Sequence, residues 1–111
     1  MPFDGATFAK SRLSPEALMS DPAHMIAWLK TFAPTDVVCG AVGDCTECLG
    51  AAFLHAMGFE HVLWYCSSGV VDGKVVAIEL LDRVARAISR LYLSDKYSPV
   101  TAARALEALG A

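Results

Sequence analysis

All four cysteines and two of the three histidines of this 111-residue chain fall between Cys39 and Cys66, in the string Cys39-x5-Cys45-x2-Cys48-x6-His55-x5-His61-x4-Cys66. Thiolates and imidazoles are the ligands zinc prefers, four of them converging tetrahedrally at about 2.0–2.3 Å. Cys45, Cys48 and His55 share one face if the segment is helical, and Cys66 or Cys39 would complete the set. The spacing is not that of a standard finger, since there is one C-x2-C and no H-x3–5-H. Cys48 is followed by Leu49-Gly50-Ala51-Ala52-Phe53, the surroundings of a buried thiol. Free cysteine commonly serves as small apolar filling, so packing is the favoured reading. A zinc-stabilised domain on Cys45, Cys48, His55 and Cys66 is the alternative.

A cysteine nucleophile would need a thiolate of lowered pKa, a histidine in reach and a third group to orient it. Cys45 would sit near a helix N-terminus with His55 and His61 close in sequence. Asp44 and Glu47 flank it, however, and their negative charge raises the thiol pKa. The carboxylate pairs Asp44/Glu47 and Glu79/Asp82 read as helix-start charge or as partners for arginine rather than as acid–base machinery. Gly40-Ala41-Val42-Gly43-Asp44 lacks the lysine and hydroxyl of a phosphate loop. No catalytic set assembles, and no enzyme is expected.

The other candidate surface lies further along the chain. Arg83, Arg86 and Arg90 recur at spacings of three and four, which makes one ridge on a helix. A solvated face is the plain reading of such a ridge. The functional one is docking of an acidic partner, because the guanidinium fork matches a carboxylate. Trp64 and Tyr65 are adjacent and must diverge in direction, so one can be exposed as an interface anchor while the other is core, although substantial cover of both is the plainer reading. Residues 1–60 carry a balance of −4 (three basic, seven acidic) and residues 61–111 a balance of +1 (six basic, five acidic). This polarity favours contact with a protein partner or self-association.

The elements that would position these residues read as helices. Ser14-Pro15-Glu16 opens a short turn. Asp21-Pro22 joins an N-cap to a proline at the first helical position, ahead of Met25, Trp28, Leu29 and Phe32 on one apolar face. Thr35–Gly43 reads as a loop or short extended piece. Asp44 would cap a helix over Cys45–Met57, ended by Gly58. The stretch 61–67 is either a short buried strand or a helical turn, and Asp72-Gly73 marks a break. Lys74–Leu93 carries the strongest pattern, with Ile78, Leu81, Val84, Ala85, Ile88, Leu91 and Tyr92 as its stripe. Glu79 with Arg83 and Asp82 with Arg86 are acid-before-base pairs, each contributing about 0.3 kcal/mol. Ser98-Pro99 would start a last helix through Leu109, stopped by Gly110.

Eighteen alanines favour helix, and the expected fold is all-α: one domain over residues 1–111, a compact bundle of four to five helices, with 61–67 as the one extended candidate. Residues 1–13 would pack on that domain or on a partner. With 55% hydrophobic and 19% charged residues the chain is not of the disordered class. A net charge of −3 and the absence of Asn and Gln argue against a sequence-specific nucleic-acid reader. Residues 1–13 lack the charge order of a secretory segment, and charges interrupt the most apolar stretch. The expectation is therefore a cytoplasmic protein with no membrane span and reduced thiols.

Cys39-Gly40-Ala41-Val42-Gly43, Cys48-Leu49-Gly50-Ala51-Ala52 and Ser94-Asp95-Lys96-Tyr97-Ser98-Pro99-Val100-Thr101 together resemble a small helical domain family of unknown function from bacteria and their phages. Its members carry a cysteine followed by Gly-Ala in a central helix and an Asn-Asp turn leading through threonine into a last helix. Here the cysteine-to-Gly-Ala spacing is one shorter, Ser94 replaces the asparagine, and the Asp95-to-Thr101 gap is one longer. The resemblance implies a helical domain, in the context of a mobile element, and carries over no catalytic residue. The expected function is that of an interaction module, such as a phage accessory protein inhibiting a host defence complex. Its expected partner-binding residues are Arg83, Arg86, Arg90, Trp64 and Tyr65. No cofactor is expected apart from the zinc of the alternative.

Overall fold

A computed structural model describes residues 13–41, 43, 44, 46–65, 67–78, 82–95 and 97–111, the side chain of Asp95 excepted. Among them the chain forms five helices and five short strands in two antiparallel sheets, a mixed α/β fold. The all-α helical bundle expected from the sequence is thus corrected.

The first helices follow their caps. Ser14 Oγ accepts the Ala17 N–H at 3.1 Å to start α1 (Pro15–Ser20). Asp21 ends that helix and begins α2 (Pro22–Leu29), its Oδ1 accepting the Ala23 N–H at 2.9 Å. Proline opens each helix, where its missing N–H costs nothing. Met25, Trp28 and Leu29 form the buried face of α2, and Phe32 meets Trp28 edge-on at 5.3 Å.

Strand β1 (Val37–Cys39) pairs antiparallel with a two-residue β5 (Val100–Thr101) through Val37↔Thr101 and Cys39↔Val100, with a bulge between them. The third helix is shorter than its sequence pattern. Asp44 does not cap it, because its carboxylate is taken by the Thr46 N–H (2.8 Å) and hydroxyl (2.6 Å). Helix α3 (Leu49–Ala56) is capped instead by Cys48, whose Sγ accepts the Ala51 N–H at 3.5 Å. Gly58, at φ 104°, follows as its terminator.

The larger correction concerns residues 61–82. Strands β2 (Val62–Trp64), β3 (Ser68–Val71) and β4 (Lys74–Ala77) form a meander, so Val62–Trp64 of the 61–67 segment is a strand, and so is the start of the predicted Lys74–Leu93 helix. Asp72 (φ 48°) and Gly73 (φ 83°) make the tight turn between β3 and β4. Positive φ at both central residues matches the twist of a two-residue hairpin. Asp72 Oδ1 also takes the N–H groups of Glu60 (3.1 Å) and His61 (2.8 Å), tying the turn to the start of β2.

Helix α4 (Arg83–Asp95) retains the predicted stripe in Val84, Ala85, Ile88 and Leu91, all buried. Ile78 packs half-buried at the core edge, Tyr92 is exposed, and Leu81 lies outside the described residues. So does Glu79 of the first predicted ion pair. Asp82 and Arg86 are linked by the backbone, Arg86 N–H to the Asp82 carbonyl at 3.0 Å. The cap of α5 (Ala102–Leu109) is Thr101 rather than Ser98, with Thr101 Oγ1 accepting the Arg104 N–H at 3.3 Å. The residue doubles as the end of β5. Gly110 stops α5 in the left-handed conformation (φ 77°), as its position at the pattern's end predicts.

One core joins these pieces. The inner face of the meander presents Val62, Trp64, Val71 and Val76 to α3 and α1, while α4 and α5 pack on each other and α2 packs on α5. Trp64 sits between two glycines: a Cβ on Gly50 would lie 2.4 Å from its Cδ1, and one on Gly69 would lie 2.9 Å from its Cε3. A side chain at either glycine would occupy space the indole takes, and at Gly69 it would also meet the Leu63 carbonyl, 2.1 Å away. Among the described residues no helix is long and apolar enough to cross a membrane.

Candidate docking groove

The two cysteines that are described are interior. Cys39 is 5% and Cys48 1% exposed, both as free thiols. Cys48 donates to the Trp64 carbonyl at 3.3 Å. Burial, helped by the neighbouring Cys48, pushes the Cys39 thiol up to about 12; the Val100 backbone and the Arg104 charge act the other way. A thiol in that state is a poor nucleophile at neutral pH.

Cys45 and Cys66, two of the four zinc candidates, lie outside the described residues. The other two do not converge. Cys48 caps the head of α3, and His55 is exposed in its last turn, its Nδ1 3.1 Å from the Phe59 carbonyl. Seven residues of helix place them about 10 Å apart along the axis, although they share a face. Among the described residues no group of three or more His, Cys, Asp or Glu is placed to hold a metal ion. His55 and His61 instead line a shallow cleft of about 420 Å³ with Thr46, Glu60, Leu63 and Val70.

Strand geometry sorts the two aromatics. Alternation turns Trp64 inward, to 1% exposure, and Tyr65 outward, to 58%. Only Tyr65 of that pair lies at the surface. It stands on the outer face of the meander near Leu63, Val70 and Val75, which are in register across the three strands.

The arginines come together more completely than their spacing implies. Helices α4 and α5 run antiparallel, with Arg83 beside Leu109 at one end and Ser94 beside Arg104 at the other. Arg83, Arg86 and Arg90 line a hollow of about 230 Å³ over Ala108, Leu109 and Gly110. Arg90 and Ala108 are shared with a second hollow of about 250 Å³, which adds Leu91, Ser94, Arg104 and Glu107. The two form one groove. Arg83 is anchored, its Nη2 donating to the Leu109 carbonyl at the open end of α5. A cation there offsets the negative end of the helix dipole. Gly110 leaves room for it, since a Cβ at that position would lie 3.2 Å from the guanidinium.

Arg104 was missed by sequence reasoning. Nothing in the spacing of α4 points to a residue on α5, and only the antiparallel packing brings them together. Four of the chain's five arginines thereby line one groove in a protein of net charge −3. Among the described residues no ion pair joins any of the four to a carboxylate. Comparison with protein-family models, with curated proteins and with solved structures finds no match to this chain.

Proposed function

We propose that this chain is a small α/β interaction module, without catalysis of its own, that docks an acidic protein partner along the α4–α5 groove. The observation that carries this reading is the gathering of Arg83, Arg86, Arg90 and Arg104 from two helices around two adjoining hollows that share Arg90 and Ala108. Guanidinium forks over a partly desolvated floor bind carboxylates bidentately, more strongly than point charges in open water. A cytoplasmic setting belongs to the same reading, since Cys39 and Cys48 are free thiols in the core.

The test is charge reversal. Replacing Arg86, Arg90 and Arg104 with glutamate removes three attractive contacts and adds three repulsive ones. Binding of an acidic partner recovered from the native host, or of long poly-glutamate, should fall by about tenfold to a hundredfold, each 1.4 kcal/mol being a factor of ten. The circular-dichroism spectrum should stay that of the parent. Unchanged binding in the folded variant rejects the groove as the docking surface.

A further inference from the structure

Among the described residues, one backbone edge of the meander is left without a partner. The outer strands are β2 and β4, and their edges differ. At β2 the Trp64 carbonyl accepts the Cys48 thiol, and α3 packs beside the strand. At β4 the Ile78 N–H reaches the Ser67 carbonyl at 2.8 Å, which fixes the phase of the ladder. Lys74, Val76 and Ile78 therefore turn their backbone groups towards β3, and Val75 and Ala77 turn theirs away from it. Among the described residues no strand takes up that far edge. Lys74, Val75 and Ala77 are all exposed, Val75 to 81%.

Strand β4 lacks the usual devices that blunt an edge. Val75-Val76-Ala77 carries no charge and no proline, and its pairing with β3 has no bulge. The one charge, Lys74, stands at the end beside the turn. The strand is also complementary to itself. Antiparallel pairing with Val76 facing Val76 of a second copy sets Val75 opposite Ala77 twice, and each such pair exchanges two hydrogen bonds. Every outward N–H and C=O of Val75 and Ala77 is then satisfied. Registers centred on Val75 or Ala77 run past the strand, into the turn at Gly73 (φ 83°) or beyond Ala77. The Val76 register keeps the two Lys74 four residues apart, about 13 Å at 3.3 Å per residue, whereas parallel pairing sets them side by side. On the outer face it continues the row Leu63, Val70 and Val75 onto Ala77 of the other copy.

We infer that β4 pairs with β4 of a second copy, antiparallel about Val76, joining the two meanders into one six-stranded sheet. The contact does not use the arginine groove, so it stands or falls apart from the docking reading. About four residues a side meet, where a standard interface uses roughly 20–30, so the dimer is weak, with a dissociation constant on the order of 0.1–1 mM. Sedimentation equilibrium and amide exchange by NMR, from about 10 µM to about 2 mM, test this. The mass should rise towards that of a dimer. At the highest concentration the Val75 and Ala77 amides should exchange at least about twofold more slowly, while those of Lys74, Val76 and Ile78 hold their rates.

Ala77→Pro removes an outward N–H that the meander does not use, which an edge strand tolerates, and should weaken association at least about tenfold. Val75→Lys sets like charges diagonally across the two-fold and should also weaken it, and an equimolar mixture of Val75→Lys with Val75→Glu should associate again. A chain that stays monomeric at the highest concentration overturns the inference. So does a dimer left intact by either folded variant, which puts the contact elsewhere, or a mixture that fails to associate. Full protection of Val75 and Ala77 in the monomer at the lowest concentration also overturns it, because another segment of the same chain then covers the edge.

Discussion

The segment from Cys39 to Trp64 and the α4–α5 hairpin invert what their residue types suggest. The first holds the thiols and a tryptophan, the side chains with the greatest chemical range, and every one of these that is described is sealed in the core. The second is built from alanine, leucine and arginine, and it presents the concentrated charge. Reactivity of a side chain is a property of its surroundings. Desolvation turns Cys39 into filling, while exposure leaves the arginines their charge at the surface.

Mutations that separate the two regions sharpen the contrast. The largest effect is expected from Trp64→Ala, which empties the slot between Gly50 and Gly69 and should cost about 3–5 kcal/mol in urea unfolding. Peptide binding by the remaining folded fraction should be preserved. A loss below about 1 kcal/mol would mean that the indole is not the centre of the core.

Cys39 comes next. Its thiol is raised from an ordinary 9.0 to about 12, so the folded protein resists forming the thiolate that the unfolded chain forms readily. The stability held by the protonated thiol is complete below pH 9 and is lost as pH rises towards 12. Urea midpoints should fall over that range, and less steeply in Cys39→Ala. With Cys45→Ser and Cys66→Ser in the background, iodoacetamide at pH 8 should leave Cys39 and Cys48 unmodified until denaturant is added. Rapid native labelling would remove the distinction between the two regions.

Gly110→Ala is expected to cost about 1 kcal/mol, because an alanine is strained at φ 77°. Its Cβ also meets Arg83, so poly-glutamate affinity should shift as well. The smallest stability effect, within about 0.5 kcal/mol, is expected for reversal of Arg86 and Arg90, both exposed. Those same variants should have the greatest effect on binding.

Much of the α-helical frame is legible in the sequence because it is written locally. Ser14-Pro15, Asp21-Pro22, Gly58 and Gly110 each mark an end through their own backbone chemistry, and the Val84–Leu91 stripe survives intact. The meander has a local signal too: Asp72-Gly73 between Val70-Val71 and Val75-Val76 is the type I′ hairpin pattern. That signal loses to alanine content and to the accident that Ile78 and Leu81 continue the helical spacing of α4 back towards the strand. The β1–β5 pairing had no such mark. It joins residues 37–39 to 100–101, and a three-residue strand opposite a two-residue one acquires its identity only from the partner. Arg104 is hidden for the same reason. Its role depends on a neighbour in space, whereas Arg83, Arg86 and Arg90 are neighbours along one helix.

Arg83 grips the final turn at Leu109, and the chain leaves that turn through Gly110 and Ala111, whose amides close back onto Glu107 and Leu106 at 3.0 Å each. Any polypeptide continuing beyond Ala111 therefore departs from the mouth of the arginine channel. An acidic extension fused there would be tethered within reach of the channel and would behave as a built-in competitor, whereas a neutral one would leave it open to outside guests.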